Sequence, residues 1–169
     1  MTPIAIPEEV LAAICAHAIA AFPDECCGYL VGTAPGTVDA AVACHNAQAG
    51  GDPPLAPELG ARRAETSFAI EGRELFQFAR SFGSERPARI VYHSHTNGLA
   101  YFSTIDRRMA AGPAYPVQHV VIGVATPAGS PRPALDPLPS VTEIAQFAWS
   151  DVERDYVEVA RFTRDGVRR

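Results

Sequence analysis

The sequence predicts an α/β fold: one domain with a mixed β-sheet flanked by helices. Segments with helical apolar spacing alternate with short apolar runs of strand length. The 169 residues suit one hydrophobic core, which grows to about 100–200 residues before chains divide. No internal repeat and no change of composition splits 1–169 into parts. Hydrophobic content of 47% and charged content of 20% are those of an ordinary globule with a sizeable core.

The first element is an amphipathic helix from Pro7 to Phe22. Pro7 suits the first helical position, and Glu8 and Glu9 complement the positive end of the helix dipole. Val10, Leu11, Ile14, Ala18 and Phe22 recur at helical spacing, and Pro23 and Asp24 end the helix. Cys26–Gly32 is an apolar run of buried-strand length, followed by a Pro35-Gly36 turn and a second strand from Thr37 to about Cys44. Residues 46–66 form a loop broken by Gly50, Gly51, Pro53, Pro54 and Pro57, and a loop that long is usually functional or mobile. Ser67–Ile70 is a short strand, and Glu71 to Phe82 a helix with Leu75, Phe76, Ala79 and Phe82 on one stripe.

Ala88–His93 is a strand with Ile90 and Tyr92 on one face and Val91 and His93 on the other. Ser103 is a natural N-cap for a short helix through about Ala110. Val117–Ala125 is the most strand-like stretch, and Pro127, Pro131, Pro133, Pro137 and Pro139 punctuate a rigid extended connection. Val141–Trp149 and Tyr156–Phe162 alternate and close the sheet.

A formal charge of −5 and scattered arginines (Arg62, Arg63, Arg107, Arg108, Arg168, Arg169) lack the basic stripe of a nucleic-acid binder. No stretch approaches the roughly 18 apolar residues that cross a bilayer. The N-terminus, interrupted by Pro3, Pro7, Glu8 and Glu9, has no signal-peptide pattern. Cys15, Cys26, Cys27 and Cys44 show neither zinc-knuckle nor thioredoxin spacing, so they read as reduced core residues of a cytoplasmic protein. Oligomeric state has no signature.

The chemistry concentrates in Tyr92-His93-Ser94-His95 and Ser103-Thr104-Ile105-Asp106. On an extended segment, residues two apart share a face, so His93 and His95 present two imidazoles suited to Zn²⁺. Asp106 falls in the first turn of the helix capped by Ser103 and can turn back toward the strand as a third ligand. Three protein ligands leave a fourth position open, which distinguishes catalytic from structural zinc. Glu25, where the first helix gives way to the first strand, is suited to shuttle a proton, and the Ser103 hydroxyl to donate to an oxyanion.

This spacing, with His93-x-His95 followed by Ser103 and Asp106, resembles the JAMM motif of the MPN+ (JAB-domain) metalloproteases. Pro23-Asp24-Glu25-Cys26-Cys27-Gly28-Tyr29-Leu30-Val31-Gly32 is similar to that family's glutamate segment, and Asn46 and Phe68-Ala69-Ile70 resemble landmarks of its bacterial stand-alone members. The resemblance runs from 7 to 125 and thins after Pro127. It implies an MPN/JAB (cytidine-deaminase-like) fold, with zinc on His93, His95 and Asp106, Glu25 as general base and Ser103 as oxyanion donor. It further implies hydrolysis of an amide at the C-terminus of a ubiquitin-like sulfur-carrier protein. Thr96 stands where proline is usual, as does Phe102, so loop 96–102 is expected to be less restricted. About ten residues separate Asp106 from the Val117 strand, too few for an insertion that grips ubiquitin chains.

Plainer readings stand beside these. Asp106 also favours the helix dipole, Ser103 serves as a cap alone, and Ser94 is an ordinary strand serine or a hydrogen-bonding support for the ligands. His17, His45 and His119 lack ligand spacing and read as core or surface histidines, Cys27 as a small core residue, and Tyr92 and Tyr101 as groove walls or packing. A catalytically silent scaffold that binds a partner protein, or a hydrolase of small amide metabolites, are the alternative functions.

Overall fold

The structure is a computed structural model that describes residues 1–47, 70, 72–126 and 138–162. Among these, six strands form one mixed sheet and three helices cover its two faces. The elements are α1 (Glu8–Ala21), β1 (Cys27–Val31), β2 (Ala40–Cys44), α2 (Gly72–Ser81), β3 (Ala88–His95), α3 (Thr104–Ala111), β4 (Gln118–Ala125), β5 (Ser140–Ser150) and β6 (Asp155–Phe162). The strand order is β2-β1-β3-β4-β5-β6. Only β3 and β4 run parallel, and α3 makes the crossover between them.

α1 starts one residue later than expected. Pro7 occupies the cap itself, where its carbonyl accepts from Val10 and Leu11 N–H at 3.1 and 2.9 Å. Val10, Leu11, Ile14 and Ala18 pack on Leu30, Ile90, Tyr92, Val120, Ile122 and Ile144, even-numbered residues that share one face of the sheet. The opposite face carries Tyr29, Val91 and Val117 against Phe78 of α2, and Val121, Ala145 and Phe147 toward α3. The result is a three-layer sandwich.

The predicted stripe of α2 is rotated by one position. Phe78, 3% exposed, is the buried anchor and meets the rings of Tyr29, Phe82 and Tyr115, while Phe76 stands 62% exposed under the Arg80 guanidinium. Tyr29 on β1 and Tyr115 ahead of β4 offer aromatic partners along the Phe78–Phe82 line, and that contact decides the helix rotation. β2 begins at Ala40 instead of Thr37, because Thr37 pairs with Ala5 in an isolated bridge ahead of it. Residues 48–66 of the expected loop, Ser67–Ala69 of the expected short strand and 127–137 of the proline-rich connection lie outside the described residues.

All four cysteines are free thiols, and burial pushes them up, to about 11 for Cys15 and Cys26 and about 12 for Cys44. Cys26 and Cys27 face opposite clusters, as strand alternation requires. No helix among the described residues is long and apolar enough to cross a membrane.

Two substitutions test the packing. Ile14, fully buried, should cost about 2–5 kcal/mol as Ile14→Ala. A Cβ at Gly28 would stand 2.4 Å from the Val42 carbonyl oxygen and 2.6 Å from the Tyr92 ring, so Gly28→Ala should cost about 1–3 kcal/mol. Urea unfolding midpoints read both, and an unchanged midpoint in either variant contradicts the packing described.

Candidate metal centre

β3 lies between β1 and β4, so its side chains are fixed from both sides. The strand continues through His95, two residues past its expected end, with His93 opposite Cys27 and Val121, and His95 opposite Gly123. Alternation then puts both imidazoles on the α2/α3 face, with Nε2 to Nε2 at 3.2 Å. α3 brings the third group. Ser103 and Asp106 form a capping box, in which the serine hydroxyl oxygen accepts from Asp106 N–H at 3.2 Å and Asp106 Oδ2 accepts from Ser103 N–H at 2.8 Å. The same Oδ2 lies 3.5 Å from His93 Nε2 and 3.6 Å from His95 Nε2. All three residues are buried, His93 completely.

A tetrahedral zinc ion with ligand bonds of about 2.0–2.1 Å needs donor atoms about 3.3–3.4 Å apart. The triangle of 3.2, 3.5 and 3.6 Å fits that requirement, and its two imidazole nitrogens and one carboxylate oxygen fit zinc's preferences. Among the described residues this is the group of donor side chains able to hold an ion. The Leu99 carbonyl lies 3.2 Å from His95 Nδ1 and assigns the proton to that nitrogen, which leaves a lone pair on Nε2. Desolvation holds His93 below its usual range and so neutral, against the opposing pull of Asp106. Burial alone would raise the Asp106 carboxyl, but hydrogen bonding from His93, with the Ser103 N–H, outweighs it and holds the carboxyl low.

Glu25 sits at the same end of the sheet. Ser94 bonds both sides of Cys26, its N–H to the carbonyl at 3.1 Å and its hydroxyl oxygen accepting from the amide at 2.8 Å. Continuing the β1–β3 register past Cys27–His93 sets Glu25 level with His95. Asn46 donates to the Glu25 carbonyl at 2.9 Å, and Glu25 is 6% exposed. Ser94 is therefore a support that ties the glutamate segment to the histidine strand. In the cap Ser103 uses its oxygen as an acceptor, which leaves the hydroxyl proton to donate elsewhere.

Loop 96–102 is more restrained than its missing prolines suggested. Gly98 N–H bonds the Val124 carbonyl at 3.1 Å, and Thr142 Oγ1 bonds the carbonyls of Gly98 and Gly123. Ala100 N–H bonds Glu143 at 3.1 Å. Gly98 adopts φ +80°, and the loop crosses so close that a Cβ on Gly123 would stand 2.5 Å from the Gly98 carbonyl oxygen. Phe102 fills the core between Phe147, Tyr156 and His119. Strand contacts replace proline as the source of order.

The remaining expectations resolve individually. Tyr92 is core, its hydroxyl bonded to His17 Nδ1 at 2.9 Å, whereas Tyr101 is 45% exposed with its ring 4.6 Å from that of His95. Cys27 is fully buried, and His45 is exposed. A pocket of about 230 Å³, lined among others by Phe78, Phe102, Met109, Tyr115 and His119, ends on Asp106. Sequence reasoning passed over Leu99, Glu143 and Arg107. Arg107 ties α3 to β6 through Tyr156 O at 2.7 Å and Asp155 at 2.5 Å. None of these has a local signal, since each acts through a partner 4 to 49 residues away.

His119 is buried, and desolvation, with His93 adding to it, pushes it down to about 3. The unfolded chain binds that proton near its ordinary value of 6.5 while the folded chain resists it, so stability is lost as pH falls from about 6.5 to about 3. In metal-free protein, His119→Phe should shrink the difference between urea midpoints at pH 7 and pH 4.5. An equal difference in both proteins removes His119 from the acid response.

The profile of the family described as prokaryotic homologs of the JAB domain matches residues 7–134. No curated protein matches the chain. Its fold resembles a solution structure from Desulfitobacterium hafniense, at 20% identity and TM-score 0.56, covering 90% of this chain and 87% of that one. A solution structure from Salinibacter ruber aligns at 21% identity and TM-score 0.53, covering 94% and 88%. A crystal structure of a JAB1/MPN domain protein from Archaeoglobus fulgidus aligns at 14% identity and TM-score 0.44, covering 94% and 96%. With its profile match spanning most of the length, the chain belongs to the prokaryotic JAB-domain family.

Proposed function

We propose that this protein is a zinc-dependent hydrolase that cleaves an amide bond at the C-terminus of a ubiquitin-like sulfur-carrier protein. The observation that carries the reading is the donor triangle of His93, His95 and Asp106, whose edges suit a tetrahedral ion and leave one position open. Zinc bound there would polarise a substrate carbonyl and lower the pKa of a water molecule toward about 7.

The chain's own groups do the rest. His93, His95 and Asp106 would hold the ion. Glu25, just ahead of β1, where Ser94 holds the adjoining Cys26 and Asn46 holds the Glu25 carbonyl, takes a proton from the attacking water and returns it to the leaving amine. The Ser103 hydroxyl, with its proton unused by the cap, donates to the developing oxyanion. Supporting a slender substrate is the short passage from α3 to β4: residues 112–117 leave no room for an inserted segment that would clasp a folded ubiquitin.

Purified protein should hold about one zinc per chain, and His95→Ala or Asp106→Ala should lose it. Glu25→Ala should keep the zinc and slow hydrolysis of a carrier–cysteine adduct by about 100-fold or more. Metal analysis and turnover on that adduct check both, with short peptides as the comparison. Zinc well below one per chain overturns the metal reading. Full zinc with no turnover on the adduct supports a silent scaffold, and equal turnover on short peptides supports a hydrolase of small amides.

A further inference from the structure

We propose that Glu143 strengthens His95 as a metal ligand by acting through the Leu99–Ala100 peptide group. The proposal rests on the reading of His95 as a ligand. His95 on β3, Gly123 on β4 and Glu143 on β5 stand opposite one another in register, so they form one rung across three strands. Gly123, the middle of the rung, has no side chain. The loop from Gly98 crosses in that space, where a Cβ would stand 2.5 Å from the Gly98 oxygen and 2.9 Å from Leu99 N.

A single peptide plane thereby joins the two outer residues. Its oxygen, Leu99 O, accepts from His95 Nδ1–H at 3.2 Å, and its nitrogen, Ala100 N, donates to Glu143 Oε2 at 3.1 Å. A carboxylate on an amide N–H increases electron density on the carbonyl oxygen, because amide resonance and hydrogen bonding reinforce one another. A richer carbonyl oxygen draws more strongly on the Nδ1 proton, and the ring passes that density to Nε2, the nitrogen that faces the donor triangle.

Arg161 on β6 keeps this arrangement in place. Its Nη1 bonds Glu143 Oε2 at 3.1 Å and its Nη2 bonds Ala100 O at 3.3 Å, while Glu158 holds the guanidinium at 3.0 and 2.7 Å. Glu143 therefore has a defined direction even though its side chain is 42% exposed. It touches no substrate, and is a positioning residue.

The test uses the full chain with Glu143→Gln, which keeps an acceptor of the same shape but no charge, and Glu143→Ala, which keeps neither. In metal-free protein, long-range proton–nitrogen spectra of the imidazoles should show the His95 Nδ1 proton moving upfield, slightly in Glu143→Gln and further in Glu143→Ala. Zinc dissociation constants from chelator competition should rise about 3-fold and about 10-fold, at or below the range for a carboxylate bonded directly to a ligand histidine. A purely structural role would lower the unfolding midpoint but leave both readouts at their wild-type values, and that result overturns the proposal. If the wild-type chain binds no zinc, the metal reading fails on its own, and the Nδ1 proton shift still decides whether the relay exists.

Discussion

One oxygen atom, Oδ2 of Asp106, belongs at once to a helix cap and to the donor triangle. As part of the capping box it accepts from Ser103 N–H, and its distances of 3.5 and 3.6 Å to the two imidazoles follow from that bond. A cap of this kind contributes about 1 kcal/mol to stability, so the carboxylate cannot swing out of the site without unmaking a folding element. The site inherits its precision from the start of α3. Arg107, one residue on, anchors the same turn to β6 and extends the restraint to the far side of the sheet.

The other two donors depend on the sheet. Central placement of β3 fixes His93 and His95 from both flanks, and the clusters on either face are packed from residues of opposite parity. The loop after His95 would ordinarily be the soft part of such a centre. Here its backbone groups are spent on Val124, Thr142 and Glu143, so that it behaves as a continuation of the sheet. The pocket that ends on Asp106 is lined chiefly by apolar side chains, which lowers the polarity around that carboxylate.

Much of this was legible in the residues themselves. The α1 face, the parity of β3 and the Ser103 cap rest on local rules of periodicity and capping, and each has a counterpart in the structure. The rotation of α2 was misread because Leu75, Phe76, Phe78 and Phe82 offer two apolar stripes, and only the rings of Tyr29 on β1 and Tyr115 ahead of β4 select one. The stiffness of loop 96–102 was misread for a related reason. Proline is a local restraint visible in sequence, whereas hydrogen bonds from Thr142 and Glu143 arrive from a strand more than 40 residues away. Glu25 and His95, 70 positions apart, become neighbours only once β1 and β3 are in register.

The alternation of β3 divides the molecule's tolerance to change. Odd positions 91, 93 and 95 look toward the chemistry, and even positions 90 and 92 look toward α1. Volume-conserving replacements beneath α1 are therefore free to drift, shifting robustness while the reactive side stays as it was. A single inserted or deleted residue in β3 would exchange the two sides, burying imidazoles in an oily layer and turning isoleucine toward the reactive face. A volume-conserving exchange is cheap on one side of this sheet, and a frame slip within the strand is ruinous on both.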